Sequence, residues 1–222
     1  MRVLSIAGLA LCVAACTSAR SAPPAAEPGA PPRYLALGDS FTIGTGSTPA
    51  QSYPARLVAR ASCRVELRNV GVNGYTTADV IEDELPELAR FSPTFVTLAI
   101  GANDIVEGRT PGEYREHVRH ILAAVKAAGA TRIVTIPQPD WSLSPAARDF
   151  GESPAIHARI VEANAILRDE TLAVGASFVD LFAMMEQQAR AGMIARDGLH
   201  PSAAAYEAWA AELARQGVSV CG

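Results

Sequence analysis

"TFVTLAIG", Thr94 to Gly101, is a nearly continuous apolar and β-branched run. A strand with one solvated face alternates polar and apolar residues; this run does not, so it reads as a strand buried on both faces. Downstream, Glu113 to Ala128 places Tyr114, Val118, Ile121, Leu122 and Val125 on one helical stripe that stops at Gly129. Upstream, Thr77 to Ala89 has helical spacing through Val80, Ile81, Leu85 and Leu88, with Thr76 or Thr77 available as its cap. A buried strand between amphipathic helices is the repeating unit of a parallel sheet covered on both sides.

The alternation continues in both directions. Tyr34 to Leu37 is a short apolar strand ending at Gly38, and Tyr53 to Ala61 reads as a helix. "RVELRNVGV" alternates Val65 and Leu67 before Val70, as a strand does, and "RIVTIP" is a buried strand stopped by Pro137. Pro154 to Val174 is helical, with Ile156, Ile160, Leu167 and Leu172 as apolar positions. "ASFVDLF" supplies a fifth strand, and Ser202 caps a last helix that buries Tyr206, Trp209 and Leu213. With right-handed crossovers, the fold class is α/β: a doubly wound three-layer sandwich around a central, mostly five-stranded parallel sheet of flavodoxin-like kind. In such sheets, sites form beyond the carboxyl ends of the strands.

The chain has 222 residues, 49% of them hydrophobic, enough for one full core. Its net charge of −4 without a basic run gives no electrostatic footprint for nucleic acid. The domain is expected over residues 33–222, as a monomer. Before it, Val3 to Ala15 is apolar but too short to span a bilayer, so residues 1–15 read as a secretory signal. It ends in "VAAC", which resembles the bacterial lipobox and implies a lipid on Cys16. Thr17 after that cysteine, by the same resemblance, favours the outer membrane of a Gram-negative cell. An ordinary cleaved signal with an incidental Cys16 is the plainer alternative. Residues 16–32 continue as an Ala/Pro-rich tether. The expected location is thus exported, anchored by lipid, facing the periplasm or the cell exterior. Cys12 leaves with the signal, and export permits a disulfide between Cys63 and Cys221, the alternative being two free thiols.

Four strand-end segments carry the candidate chemistry: Gly38-Asp39-Ser40, "GVNG" at 71–74, "GAND" at 101–104 and "DGLHPS" at 197–202. A serine nucleophile needs an imidazole to take its proton, an acid to orient the imidazole, and donors aimed at the oxyanion. Ser40, His200 and Asp197 fill the first three roles, and the Ser40 N–H, Gly74 N–H and Asn103 amide can supply the donors. Each piece alone is also ordinary turn composition; their joint occurrence, in order, carries the reading.

The four blocks resemble the SGNH (GDSL) hydrolase family. That resemblance implies Ser40 as nucleophile and oxyanion donor, Gly74 and Asn103 as further donors, His200 as base and Asp197 as its acid. Phe41, where the family has Leu or a similar residue, is a mild departure. No G-x-S-x-G is present, so the α/β-hydrolase elbow is excluded. The implied activity is hydrolysis of short or medium acyl esters or lysophospholipids, with no metal or cofactor. A carbohydrate O-acetylesterase or acetyltransferase of the envelope, and a non-catalytic envelope-binding lipoprotein, remain alternatives. The segment from Pro137 to Ser153, with Trp141, Leu143 and Phe150, either walls the substrate pocket or covers the core. His117 and His120, three apart on a charged helix face, read as solvated rather than metal-binding, and His157 has no assigned role.

Overall fold

The structure, a computed structural model, describes residues 30–221. The signal segment, Cys16 and the tether up to residue 29 lie outside the described residues, as does Gly222. Five parallel strands form one sheet in the order β2-β1-β3-β4-β5. They are β1 (Arg33–Gly38), β2 (Glu66–Asn69), β3 (Phe95–Ala99), β4 (Arg132–Thr135) and β5 (Ser177–Phe178). Every residue of β3 is buried, as its unbroken apolar run requires. The strand order reverses between β1 and β3, whose ends are in register at Gly38 and Ala99.

α1 (Ser40–Ile43) and α2 (Tyr53–Ala59) follow β1. The β1-to-β2 crossover runs opposite in direction to the later ones, so right-handedness places α2 on the other face from the helices between β2 and β5. Those helices are α3 (Thr77–Asp79), α4 (Pro86–Phe91), α5 (Ala102–Val106), α6 (Pro111–Ala127) and α7 (Ser153–Ala173), and α6 packs on α7. α8 (Phe182–Arg190) and α9 (Ala203–Arg215) follow β5, with α9 packed on α2 through Trp209 against Tyr53. Cys63 and Cys221 form a disulfide with Cα atoms 5.8 Å apart, pinning the chain end beside the segment that leads into β2.

Three expectations change. The helix expected over 77–89 is α3 and α4 joined by a π turn at Val80–Glu84. Pro86 has no N–H to continue an α-helical ladder, and the Leu85 N–H reaches back to Val80 O at 3.0 Å. The turn directs Glu84 inward, where it accepts the Gly38 N–H at 2.9 Å. The fifth strand is only two residues long, because Asp180 Oδ1 accepts the Phe182 N–H at 2.9 Å and turns the chain into α8. Leu172, grouped from the sequence with the apolar positions of its helix, is 58% exposed. It lies five residues past buried Leu167, about 140° around the helix from the core stripe.

Candidate active site

The switch point at β1 and β3 sets the site. Gly38 has φ 144°, and a Cβ there would lie 2.1 Å from Ala99 O, so the two strand ends meet this closely only at a glycine. The chain then turns. Asp39 caps α1 by accepting the Phe41 N–H at 3.0 Å, which fixes Ser40 as the first residue of that helix, 7% exposed.

His200 arrives from the segment before α9, folded on itself by the Ala195 N–H to His200 O bond at 2.7 Å. Asp197 Oδ1 accepts the Leu199 and His200 N–H groups at 2.9 and 3.0 Å. Its Oδ2 lies 2.9 Å from His200 Nδ1, and His200 Nε2 lies 2.9 Å from Ser40 Oγ. Burial alone would raise the Asp197 carboxyl, but the two backbone N–H groups and the imidazole hold it below the usual carboxylate range. An ionised carboxylate on Nδ1 assigns the ring proton to that nitrogen and leaves Nε2 as acceptor toward the serine.

Gly46 explains itself here. A Cβ on it would stand 2.6 Å from Ala195 Cβ and 2.8 Å from Pro201 O, so it lets the loop after α1 lie against the His200 segment. Phe41, the departure from the family pattern, is buried with its ring 5.5 Å from the His200 ring.

Ser40, Gly74, Asn103 and His200 line one cleft of about 170 Å³, walled by Trp141 and Phe150. Leu143 is not part of its wall. Asn103 sits in α5, a short helix that opens directly after Gly101 at the end of β3. Its Nδ2 donates to Tyr75 O at 2.8 Å, which fixes the amide and leaves its second hydrogen free of that bond. A larger cleft, about 460 Å³, lies at the opposite sheet edge beside Arg132 and Val218, and no histidine lines it.

Two histidines make contacts the sequence did not disclose. His157 Nδ1 lies 2.6 Å from Asp140 Oδ2, an aspartate 17 residues earlier beside Trp141. His117 Nδ1 lies 2.9 Å from Thr77 Oγ1, so that side chain is half-buried rather than solvated. Asp140, His157 and Glu186 converge closely enough that their ligand atoms lie within 4.8 Å of one another.

A Ser–His–Asp hydrogen-bond chain at the carboxyl edge of a doubly wound sheet is a serine-hydrolase arrangement. The chain belongs to the GDSL-like lipase/acylhydrolase family, whose model matches residues 36–208. It is 29% identical over 96 residues to the thioesterase 1/protease 1/lysophospholipase L1 of Escherichia coli strain K12, a match spanning 43% of this chain and 46% of that protein. It thus spans about half the length of the curated relatives it matches. Among solved structures, a lipase/acylhydrolase from Enterococcus faecalis superimposes with a TM-score of 0.67 at 23% identity, covering 83% of this chain and 94% of that one. An acetylxylan esterase from Geobacillus stearothermophilus gives 0.66 at 19%, covering 86% and 96%. At these identities the structures share the fold.

Proposed function

We propose that this protein is a serine-dependent carboxylic ester hydrolase that works through an acyl-enzyme on Ser40. The observation that carries it is the unbroken chain from Asp197 Oδ2 through His200 to Ser40 Oγ, two contacts of 2.9 Å, opening into a cleft. His200 Nε2 takes the Ser40 proton as Oγ attacks the ester carbonyl, and Asp197 stabilises the imidazolium. The developing oxyanion is met by the Ser40 N–H, the Gly74 N–H and the free hydrogen of the Asn103 amide. The leaving alcohol receives the proton from His200, and water releases the acyl group by the same steps.

Trp141 and Phe150 give the cleft an apolar wall, which suits short or medium acyl chains, lysophospholipid esters among them. The small cleft volume also suits an acetyl group on a carbohydrate, and one structural relative is an acetylxylan esterase. The N-terminal pattern supports export and a lipid on Cys16 as the membrane attachment. No helix among the described residues is long and apolar enough to cross a membrane.

The test is a p-nitrophenyl ester series from acetate to decanoate, beside release of acetate from acetylated xylan, with Ser40→Ala as control. Turnover that vanishes in Ser40→Ala supports the reading. Turnover that survives it, or a folded protein inert on every ester, overturns it. A maximum at acetate with release from xylan selects the carbohydrate reading.

A further inference from the structure

Two carboxyl groups are buried directly behind the nucleophile turn. Asp39 is 0% and Glu84 2% exposed, and they flank Gly38 from the turn and from the π turn. Each accepts one backbone N–H, from Phe41 and Gly38 respectively. Neither forms an ion pair with a Lys, Arg or His among the described residues, and Asp39 Oδ2 and Glu84 Oε1 have no hydrogen-bond partner there. The fully buried Gln138 side chain, after β4, faces Asp39 and is itself unpartnered at both Oε1 and Nε2.

Buried charges are paired or they are not charges. The other groups around Asp39 do not supply a cation. They are Asp104 of α5, already paired with Arg109 at 2.8 Å, and the tyrosines Tyr53, Tyr114 and Tyr206 of α2, α6 and α9. Glu84 faces Asp39, Asp79 and Asp83. His200 reaches the turn through Ser40 Oγ.

We propose that Asp39 is a positioning residue that works as a neutral carboxylic acid, its Oδ2–H donated to Gln138 Oε1, with Glu84 neutral beside it. This satisfies two orphaned atoms at once and ties the end of β4 to the nucleophile turn. It also keeps negative charge away from the place where the substrate oxyanion develops, which an adjacent carboxylate would oppose. Burial pushes the Asp39 carboxyl up to about 8 against the pull of the Phe41 N–H and of the Gln138 side chain, and burial pushes Glu84 up to about 9 against the Gly38 N–H.

Difference infrared spectroscopy reads the protonation state without any substrate, so it stands apart from the esterase reading. At about pH 7 the intact protein should show carboxylic-acid carbonyl bands, one removed by Asp39→Asn and one by Glu84→Gln. Absence of a band assignable to Asp39 overturns the proposal. If Asp39→Asn does not fold, the Glu84→Gln protein answers instead: its remaining band must disappear near pH 8, and a band that is missing at pH 7 overturns the proposal. A pH–rate profile gives the second readout. In the parent protein kcat should fall about tenfold from pH 7 to pH 9, one ionisation near 8. Asn at position 39 keeps the donor and cannot ionise, so that ratio should approach one; an unchanged ratio overturns the role of Asp39. Stability moves the same way. A carboxyl that keeps its proton only in the folded chain stabilises it least at high pH, so Tm should fall as pH rises from about 5 to 9, less steeply in Asp39→Asn.

Discussion

The molecule contains two Asp–His pairs built from the same atoms, a carboxylate Oδ2 facing an imidazole Nδ1. Asp197–His200 spans 2.9 Å and Asp140–His157 spans 2.6 Å. Their burial is reversed. In the first, the imidazole side chain is 15% exposed and the carboxylate 39%; in the second, the carboxylate is 1% exposed and the imidazole 43%. The decisive difference lies at the far ring nitrogen. His200 Nε2 meets Ser40 Oγ, whereas the His157 ring lies beside Phe182, 6.3 Å between centroids. An Asp–His pair becomes a proton relay only when a reacting atom waits at its other end. The shorter pair, buried at its acid, holds a loop.

Removing the imidazoles one at a time breaks this comparison if it is wrong. His200→Ala should lower kcat by about 10⁴-fold or more on any ester that the protein hydrolyses, as loss of one member of a catalytic unit does. The same substitution at His157 should leave the rate on an acetyl ester near that of the parent. Comparable losses at both positions would show that the second pair also serves the chemistry.

A smaller effect tests the proposed oxyanion donors. Asn103→Ala should lower kcat by roughly 10²–10³-fold with little change in KM, because an oxyanion donor acts mainly in the transition state. A near-normal rate would return Asn103 to a structural role as the partner of Tyr75 O.

The Asp197–His200 pair was legible in the sequence because its parts lie three residues apart in one segment, and because Ser40 and Asn103 follow strands with clear apolar runs and Gly74 a strand with alternating spacing. The second pair was not. Asp140 and His157 stand 17 residues apart across two short 3₁₀ turns, and no local spacing brings them together. Glu84 was equally hidden, since a regular helix through 77–89 does not reveal the π turn that aims it at Gly38. The shortness of β5 was hidden because "ASFVDLF" has strand composition throughout, while Asp180 Oδ1 accepting the Phe182 N–H turns the chain out of the sheet after Phe178. What sequence periodicity captures is burial along one element; what it misses are polar side chains that meet between elements.

The smallest expected effect concerns the loop that the second pair holds. Asp140 caps the turn bearing Trp141 through the Ser142 N–H and Oγ, at 3.2 and 2.5 Å, and Trp141 walls the cleft. His157→Ala leaves the buried Asp140 Oδ2 without this partner, at a cost of about 1.5–3 kcal/mol for a hydrogen bond to a charged group. Part of that cost should appear as a lower Tm. The rest should appear as a looser Trp141 wall, so the acyl-length profile flattens: kcat/KM on the preferred longer ester falls several-fold relative to acetate. His157→Gln, which can still donate to Asp140, should recover most of both. A profile that keeps its shape while Tm drops would confine the second pair to stability and leave the cleft wall to hold itself.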